Sequence, residues 1–408
     1  MEDIKSKSLS SCIFIPLLIL VFIRPFFSGL AYPKLELCYE TVMISLAALT
    51  FILGAKTNFK IPPKTFENFP VLFLLSAYAI SAAFSVNKIN SVSETLKFMG
   101  FASAFFVVSR IDDRQKNTLI KTIVIAGAII GLYAVYQYFW GYAGTLAYLK
   151  KINSGFLQLS SYARDILLDK RAIATFPSPT ILGGYLIMVF FMGLHLLQVT
   201  RSQGHRVTSV ILSLMVISAA LLLTKSLGAW LALITAMITW FILSYKSIKH
   251  KKLLLAASII IFSIAIAFIL ITRWERLMNL DNPQNSITQR LNYWRTAIAV
   301  IKDHPIVGVG PGNFQEVFLE YKVGVSTNTR YAHNIFLHVW AETGTLGLIA
   351  LISLIINFII KAKSEPRLIF LAGIAFLFHN IIDNTYFFPE TGLLWWVLPG
   401  LSKSGTDS

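Results

Sequence analysis

Long apolar segments alternate with short polar ones along almost the whole chain. Most of the apolar segments hold about 20 residues with few charges, the length that an α-helix needs to cross roughly 30 Å of hydrocarbon. Inside a bilayer every backbone polar group must be satisfied by the protein itself, which favours helices. The pattern therefore predicts an all-α polytopic integral membrane protein with about 12 transmembrane helices. The predicted spans are 12–31, 37–55, 70–86, 95–109, 118–139, 180–200, 207–223, 227–244, 253–272, 333–360, 368–386 and 391–402.

The loops between these spans divide the basic residues unevenly. If the N-terminus is cytoplasmic, the segments on that side hold nineteen Lys and Arg, whereas the short loops on the opposite side hold three. Short loops rich in Lys and Arg favour the cytoplasmic side of a membrane. The distribution predicts that both termini are cytoplasmic. We also expect the first apolar segment to remain in the protein, although its small residues 28–31 could be read as a signal-peptide cleavage site.

Composition agrees with this architecture and excludes several others. The 408 residues are 55% apolar and 14% charged, against about 45–50% and 25% in soluble domains, which excludes a soluble or disordered chain. Cys12 and Cys38 are the only cysteines, and they predict free thiols rather than a disulfide framework or a metal site. The net charge of +16 is explained by the basic loops, so membrane lipids and not nucleic acid are expected as surroundings.

Two segments on the predicted outer side, 140–179 and 273–332, are much longer than the other loops. They separate helices 1–5 (residues 1–139) from helices 6–9 (180–272) and from helices 10–12 with a short cytoplasmic tail (333–408). Loops of this length usually carry binding or chemistry. Together the two segments hold twelve Lys and Arg against seven Asp and Glu, a net charge of +5. Because the positive-inside rule disfavours cations here, we expect an anionic ligand, with anionic lipid headgroups as the alternative.

The second long segment begins with the signals of an amphipathic helix. Ser286 with Gln289 three residues later resembles a capping box, and the helix is predicted to end at Lys302, before a His-Pro pair. We expect it on the outer membrane surface or on the rim of the bundle, with Arg290 and Arg295 facing polar surroundings. Its predicted apolar face consists of Leu291, Trp294, Ile298 and Ile301.

A glycine-rich connection leads to a second short helix, predicted over 314–321 with Asn313 as its cap. Gly308, Gly310 and Gly312 permit positive φ and close backbone approach. Amides at such a turn before a helix start can bind phosphate, which makes Gly310 and Gly312 candidate ligands. The Gly-Lys-Ser/Thr ending of a Walker loop is missing, and a purely structural turn is the alternative.

His333 is the candidate general base. It lies in or beside the first turn of the tenth span, where the positive end of the helix dipole disfavours imidazolium. A neutral imidazole can accept a proton from a hydroxyl, although a histidine here can also be a cap or a structural group. His338 is a secondary candidate, because we expect it to pair with Glu342 four residues further along the helix.

The second long segment and the span after it resemble a known signature block of about 60 residues. The block consists of Arg290, Trp294, the continuous stretch 304–314 (HPIVGVGPGNF), His333, Asn334, Leu337, Glu342, Gly344, Gly347 and Leu348. These residues are similar to the O-antigen ligase and polymerase superfamily. A fainter match lies at Arg171, Thr175, Phe176, Pro179 and Tyr185, with Ser178 and Thr180 in place of two asparagines of the family. The chain departs from the family at Ser226-Leu227-Gly228, where many members have Ser-Arg-Gly.

The resemblance implies a GT-C-like, metal-independent glycosyltransferase of the inverting type, without a cofactor. It implies that the protein lies in the bacterial inner membrane with its active site facing the periplasm. Members of the superfamily take a glycan from undecaprenyl pyrophosphate. Ligases attach this glycan to a sugar hydroxyl of lipid A–core, and polymerases attach it to another lipid-linked glycan. We favour the ligase because the second long segment is of moderate size, and no oligomeric state is predicted.

The resemblance also suggests roles for individual residues. His333 corresponds to the histidine of the family, and Arg171 and Arg290 to arginines that hold the pyrophosphate, while Lys225 is expected to replace the charge of the missing arginine. Guanidinium groups suit this task because they bind phosphate oxygens bidentately. Further candidates are Arg295, Arg164 and Asn334.

A transporter or lipid flippase is the alternative from another functional class. It should show ionisable residues in mid-span and paired broken helices. Most of the candidates lie near span ends, and the sequence shows no convincing inverted repeat. They are Glu40, His195, His379 and Asp383. His379 and Asp383 are expected to pair with each other or to line the same outer cavity.

Overall fold

The computed structural model describes residues 2–56, 65–152, 159–200, 205–244, 251–279, 285–361 and 367–401, and the regular structure in these ranges is entirely helical. The first helices are α1 (Glu2–Ile23), α2 (Pro33–Lys56), α3 (Thr65–Ala83), α4 (Lys88–Val108), α5 (Asp113–Tyr136), α6 (Tyr142–Lys151) and α7 (Ser161–Leu168). The later helices are α8 (Pro179–Thr200), α9 (His205–Leu223), α10 (Leu227–Ser244), α11 (Lys251–Met278), α12 (Ser286–Asp303), α13 (Phe314–Tyr321), α14 (Ile335–Lys361), α15 (Arg367–His379) and α16 (Pro389–Gly400).

Five helical stretches in the described residues are long and apolar enough to cross a membrane, which supports a multi-pass protein. They are Pro33–Leu53, Lys88–Val108, Asp113–Lys151, Pro179–Thr200 and Ile335–Ile360. Shorter apolar helices lie at six more of the predicted spans, and α16 lies at the last one. The total of about 12 stays a prediction, and so does the orientation, since many of the loop lysines and arginines counted for it lie outside the described residues.

The centre of the bundle is formed by α8 and α16. Every residue of α16 is buried, and α8 packs against α5, α9 and α15. Lys97 on α4 donates a hydrogen bond to the Phe387 carbonyl at 2.8 Å and pairs with Glu94, while Arg24 pairs with Glu36 at 2.7 Å. Arg24 and Lys97, which lie within predicted spans, therefore face the bundle. Buried charges persist in such surroundings because they are paired.

The second long segment forms a small unit of α12, the glycine-rich connection and α13, packed on the start of α14. The bounds of both short helices agree with the prediction to within one residue, but only part of the predicted apolar face of α12 is buried, with Ile301 in the core of the unit. Leu291 and Ile298 are each 44% exposed, whereas Tyr293, Ala297 and Val300 are buried in the core of the unit. The cap also differs, because the Asn285 side chain accepts from the Ile287 amide in the role predicted for Ser286.

Candidate active site

A cavity of about 410 Å³ lies where the two long segments meet the ends of α8 and α14. Arg171 from the first long segment, Arg290 from α12 and His333 from the turn before α14 all line it. Ser178 and Thr180, at the positions where the family has asparagines, line it as well. The structure thus brings together three residues that lie up to 162 positions apart in the sequence and that sequence reasoning had selected separately.

Arg171 is held in place by the continuation of α5. After Tyr136 the helix widens into a π-helix, Gln137–Gly141, of the kind that often occurs at functional sites. The side-chain oxygen Oε1 of Gln137 accepts two hydrogen bonds, from the amides of Ile173 and Ala174, each at 2.9 Å. One turn further, the Tyr142 hydroxyl donates to the Arg171 carbonyl. Sequence reasoning missed both supporting side chains, because a polar residue in an apolar helix does not reveal its partner.

The Arg171 guanidinium is a buried cation in the cavity wall. The residue is 7% exposed, and its Nε donates to the Thr224 carbonyl at 3.1 Å. Within the described residues no carboxylate forms an ion pair with it. Burial lowers the pKa of Arg171, but an arginine remains charged at any physiological pH. An uncompensated buried charge is costly, so the cavity is electrostatically prepared for an anion.

Arg290 is fixed more tightly than Arg171. Its Nε donates to the Ile382 carbonyl at 2.7 Å, one terminal nitrogen to the Ser286 carbonyl at 3.2 Å, and the other to Asp383 Oδ2 at 3.1 Å. A guanidinium has five N–H donors, so two remain for a ligand in the cavity. The Asp383 carboxylate compensates part of the Arg290 charge. Arg171 therefore attracts an anion in the cavity more strongly than Arg290 does.

His333 is positioned by three neighbours. Trp294 Nε1 donates to the His333 carbonyl at 3.2 Å, and the Tyr293 ring stacks on the imidazole with 5.4 Å between ring centroids. Asn334 caps α14, since its side-chain oxygen accepts from the Leu337 amide at 2.9 Å. Trp294, His333 and Asn334 of the signature block are therefore neighbours around one imidazole. The backbone of His333 is left-handed, with φ of 53°.

Asp383 links the base to the second arginine, a role that the sequence did not reveal. Its Oδ1 lies 3.5 Å from His333 Nδ1, and its Oδ2 accepts the hydrogen bond from Arg290. We expected Asp383 to pair with His379 or to line an outer cavity with it. The structure contradicts the direct pairing, because the His379 ring nitrogen Nε2 lies 3.1 Å from the Thr180 carbonyl. Helix α15 ends at His379, so Asp383 lies in the connection to α16.

The surroundings of His333 favour a neutral imidazole. Burial lowers the pKa of His333, the Arg290 and His338 charges lower it further, and Asp383 opposes them. Burial raises the pKa of the Asp383 carboxyl, but the close contact with His333 and the Arg290 charge hold it well below its ordinary value. The Nδ1 atom of His333 is buried, which leaves Nε2 as the ring nitrogen for a ligand in the cavity. A neutral histidine backed by an ionised aspartate is a competent proton acceptor.

The glycine-rich connection does not line the cavity. Gly308, Gly310 and Gly312 have positive φ, as predicted, but the anion at this turn belongs to the protein itself. The Glu342 carboxylate accepts from the Gly312 amide at 2.8 Å and from the Phe314 amide at 3.0 Å. The Gly310 amide donates to the Glu342 carbonyl at 2.9 Å. The structure therefore supports the structural alternative, in which this turn anchors α13 to α14.

The remaining candidate residues lie outside the cavity lining. Lys225 is 6% exposed and donates to the Asp169 carbonyl at 2.6 Å, beneath the segment that carries Arg171. Arg295 is exposed on α12, and Arg164 lies on α7. His338 is fully buried with its Nε2 3.4 Å from Glu342, the pairing that the helical spacing predicted.

We expect the pH dependence of the reaction to report these contacts. A base must be unprotonated, so kcat/KM should rise with pH through the pKa of His333, below the ordinary value of about 6.5 because burial lowers it. Asp383→Asn removes a group that raises this pKa and should move the rising limb to lower pH. Arg290→Gln removes a charge that lowers it and should move the limb to higher pH. Profiles of kcat/KM between acid and neutral pH measure both shifts, and limbs that stay in place in both variants would exclude His333 as the titrating group.

Comparisons with known proteins cover the part of the chain that carries Arg290 and His333. Residues 210–352, which include α12, the glycine-rich connection and His333, match the family described as O-antigen ligase. The chain is 24% identical over 342 residues to the O-antigen ligase of Salmonella typhimurium, covering 78% of this chain and 76% of that protein. It is 22% identical over 371 residues to an uncharacterised protein of Haemophilus influenzae, covering 87% and 88%. The resemblance predicted from the signature block is thereby confirmed: residues 210–352 match the O-antigen ligase family, and most of the chain is similar to a protein named O-antigen ligase.

Proposed function

We propose that this protein is an O-antigen ligase: a glycosyltransferase that moves a glycan from undecaprenyl pyrophosphate to a sugar hydroxyl of lipid A–core. The observation that carries the proposal is the buried Arg171 guanidinium, which has no carboxylate partner among the described residues and shares one cavity with His333. A diphosphate leaving group needs a cation of this kind, and an attacking hydroxyl needs a base. The similarity to the Salmonella protein supports the same activity.

The proposed reaction is a direct displacement at the anomeric carbon. The acceptor hydroxyl oxygen forms the new bond to this carbon while the bond to the diphosphate oxygen breaks, and the bonding electrons leave with the diphosphate. The hydroxyl proton passes to Nε2 of His333, and Asp383 stabilises the imidazolium that forms. Arg171 and Arg290 neutralise the negative charge that develops on the leaving group. A single displacement inverts the configuration of the transferred sugar.

The proposal includes a setting in the bacterial inner membrane, with the cavity on the periplasmic side. The five apolar stretches and the excess of basic residues in the opposite loops support this placement. No divalent ion is required, because the arginines supply the positive charge. In the part of the chain that the structure describes, His, Cys, Asp and Glu side chains form no group of three that could hold a metal.

Reconstitution with defined lipids tests the proposal. The purified protein in vesicles receives a labelled undecaprenyl pyrophosphate glycan together with lipid A–core or with a second lipid-linked glycan, in each case with and without EDTA. Label on lipid A–core, unaffected by EDTA, is the expected result. Label only on the second lipid-linked glycan would identify a polymerase, loss of transfer with EDTA would contradict the metal-independent mechanism, and lipid movement without bond formation would identify a flippase.

A further inference from the structure

A second cavity, of about 560 Å³, lies between α10 and α11, apart from the active site. Ten of its twelve lining residues are apolar, and the other two are serines. Residues that define its two walls are Met237, Trp240, Phe241, Phe262, Ser263 and Ile266. Ile238 and Ile259 in the lining are 55% and 56% exposed, so the cavity is a groove open to the side of the helix pair. In a membrane, a groove with apolar walls favours an apolar occupant.

Both helices that form this groove also approach the cationic side of the active site. Thr224, just before α10, accepts the hydrogen bond from Arg171, and the ammonium group of the next residue, Lys225, lies 5.9 Å from the centre of the Phe268 ring on α11. The groove starts on α10 at Ile234. Lys225 has a positive φ and lies just before α10, which begins at Leu227, and seven residues of helix separate Leu227 from Ile234, about 10 Å at 1.5 Å per residue. An extended hydrocarbon chain with its charged head near Arg171 covers that distance.

We infer that the groove receives the hydrocarbon chain of the polyprenyl diphosphate donor. The inference rests on the proposed function and names the part of the protein that recognises the lipid of its donor. A molecule with an anionic head and a long branched apolar tail matches a buried cation at one end and an apolar channel further along the same helix pair. The burial of its isoprene units against Met237, Trp240 and Phe262 would provide binding that the diphosphate alone cannot.

Two neighbouring residues of α11 offer a matched pair of variants. Ser263 lines the groove, whereas Ile264 is 66% exposed and does not line it. Ser263→Trp fills the groove and should raise KM for a long-chain donor by about tenfold, as expected when several methylene groups lose their contacts. It should leave kcat, and also KM for a short-prenyl diphosphate donor with the same glycan, within about twofold. Ile264→Trp adds the same bulk outside the groove and should change neither KM.

The outcomes separate this inference from the proposed function. If Ser263→Trp raises KM for both donors equally, or raises KM only for the acceptor, the groove does not bind the donor chain. If the wild-type protein uses the long and the short donor with equal KM, the groove inference fails while the proposed function stands. If the wild-type protein transfers glycan from neither donor, the proposed function itself fails.

A second measurement does not depend on the folding of a variant. A donor with a photoreactive group in its prenyl chain should crosslink to residues of α10 and α11 in the wild-type protein, and an excess of unlabelled donor should suppress the crosslinks. Crosslinks confined to other helices would overturn the inference. So would crosslinks on α10 and α11 that persist in excess donor, because they would indicate a bilayer lipid in the groove.

Discussion

Replacement of His333 by alanine is expected to abolish glycan transfer, with a fall in kcat of about 10²–10⁴-fold, the usual contribution of a positioned general base. His333 is the histidine of the described cavity lining, which it shares with both arginines. Without it the acceptor hydroxyl must lose its proton to water. The measurement is label transfer in vesicles at saturating donor, with thermal unfolding in detergent to check that the variant is folded.

Backbone strain could complicate the alanine variant, because His333 has a φ of 53°. Asparagine tolerates this conformation better than alanine, so His333→Asn separates loss of the base from loss of the local fold. His304→Ala provides the control, since His304 contacts Tyr321 away from the cavity. Transfer at the wild-type rate by a folded His333→Asn protein would exclude His333 as the base.

Arg171→Met is expected to reduce activity and to leave the protein as stable as before or more so. Loss of charge-assisted hydrogen bonds to the diphosphate, each worth about 1.5–3 kcal/mol, should lower kcat/KM by about 10²–10³-fold. The same change removes a buried charge that has no carboxylate partner in the described structure, which should not lower the melting temperature. Kinetics with the donor test the expected loss of activity, and thermal unfolding of the same preparation tests the expected stability.

Two variants sharpen this test. Arg164→Met removes a cation of the same segment that does not line the cavity, and it should leave transfer unchanged. Arg171→Lys keeps the charge but loses the planar fork, so it should recover only part of the activity. The opposite pattern, a destabilised Arg171→Met protein with normal donor affinity, would mean that Arg171 is a structural residue.

Much of the fold follows from the sequence because membrane helices are long and apolar. The termini of α13 were predictable from local signals, and so was the pair of His338 with Glu342, since residues four apart on a helix are neighbours. The meeting of Arg171, Arg290 and His333 in one cavity was also consistent with the resemblance. Local spacing cannot predict that Asp383 joins Arg290 to His333, because this contact depends on how α15 packs against its neighbours.

The face of α12 shows a different limit of sequence reasoning. In a soluble protein an apolar stripe turns inward, but Leu291 and Ile298 are exposed here, while Asn292 and Thr296 are buried. At a membrane, apolar residues are not driven inward, and small or polar residues often form the packed interface. The glycine-rich connection was ambiguous for another reason. Backbone amides donate to a carboxylate or to a phosphate equally well, and only the fold shows that Glu342 is within reach.

The carboxylate of Glu342 has a consequence for product release. Because it saturates the Gly312 and Phe314 amides, these two amides do not hold the diphosphate in the proposed reaction, and that task falls to the side chains of Arg171 and Arg290. In the proposed reaction, each catalytic cycle must release its lipid diphosphate before a new donor can bind. A rigid binding site of backbone amides would hold the product as firmly as the substrate. Such binding slows turnover without aiding the chemical step. Two arginines on separate segments can instead release the diphosphate one after the other.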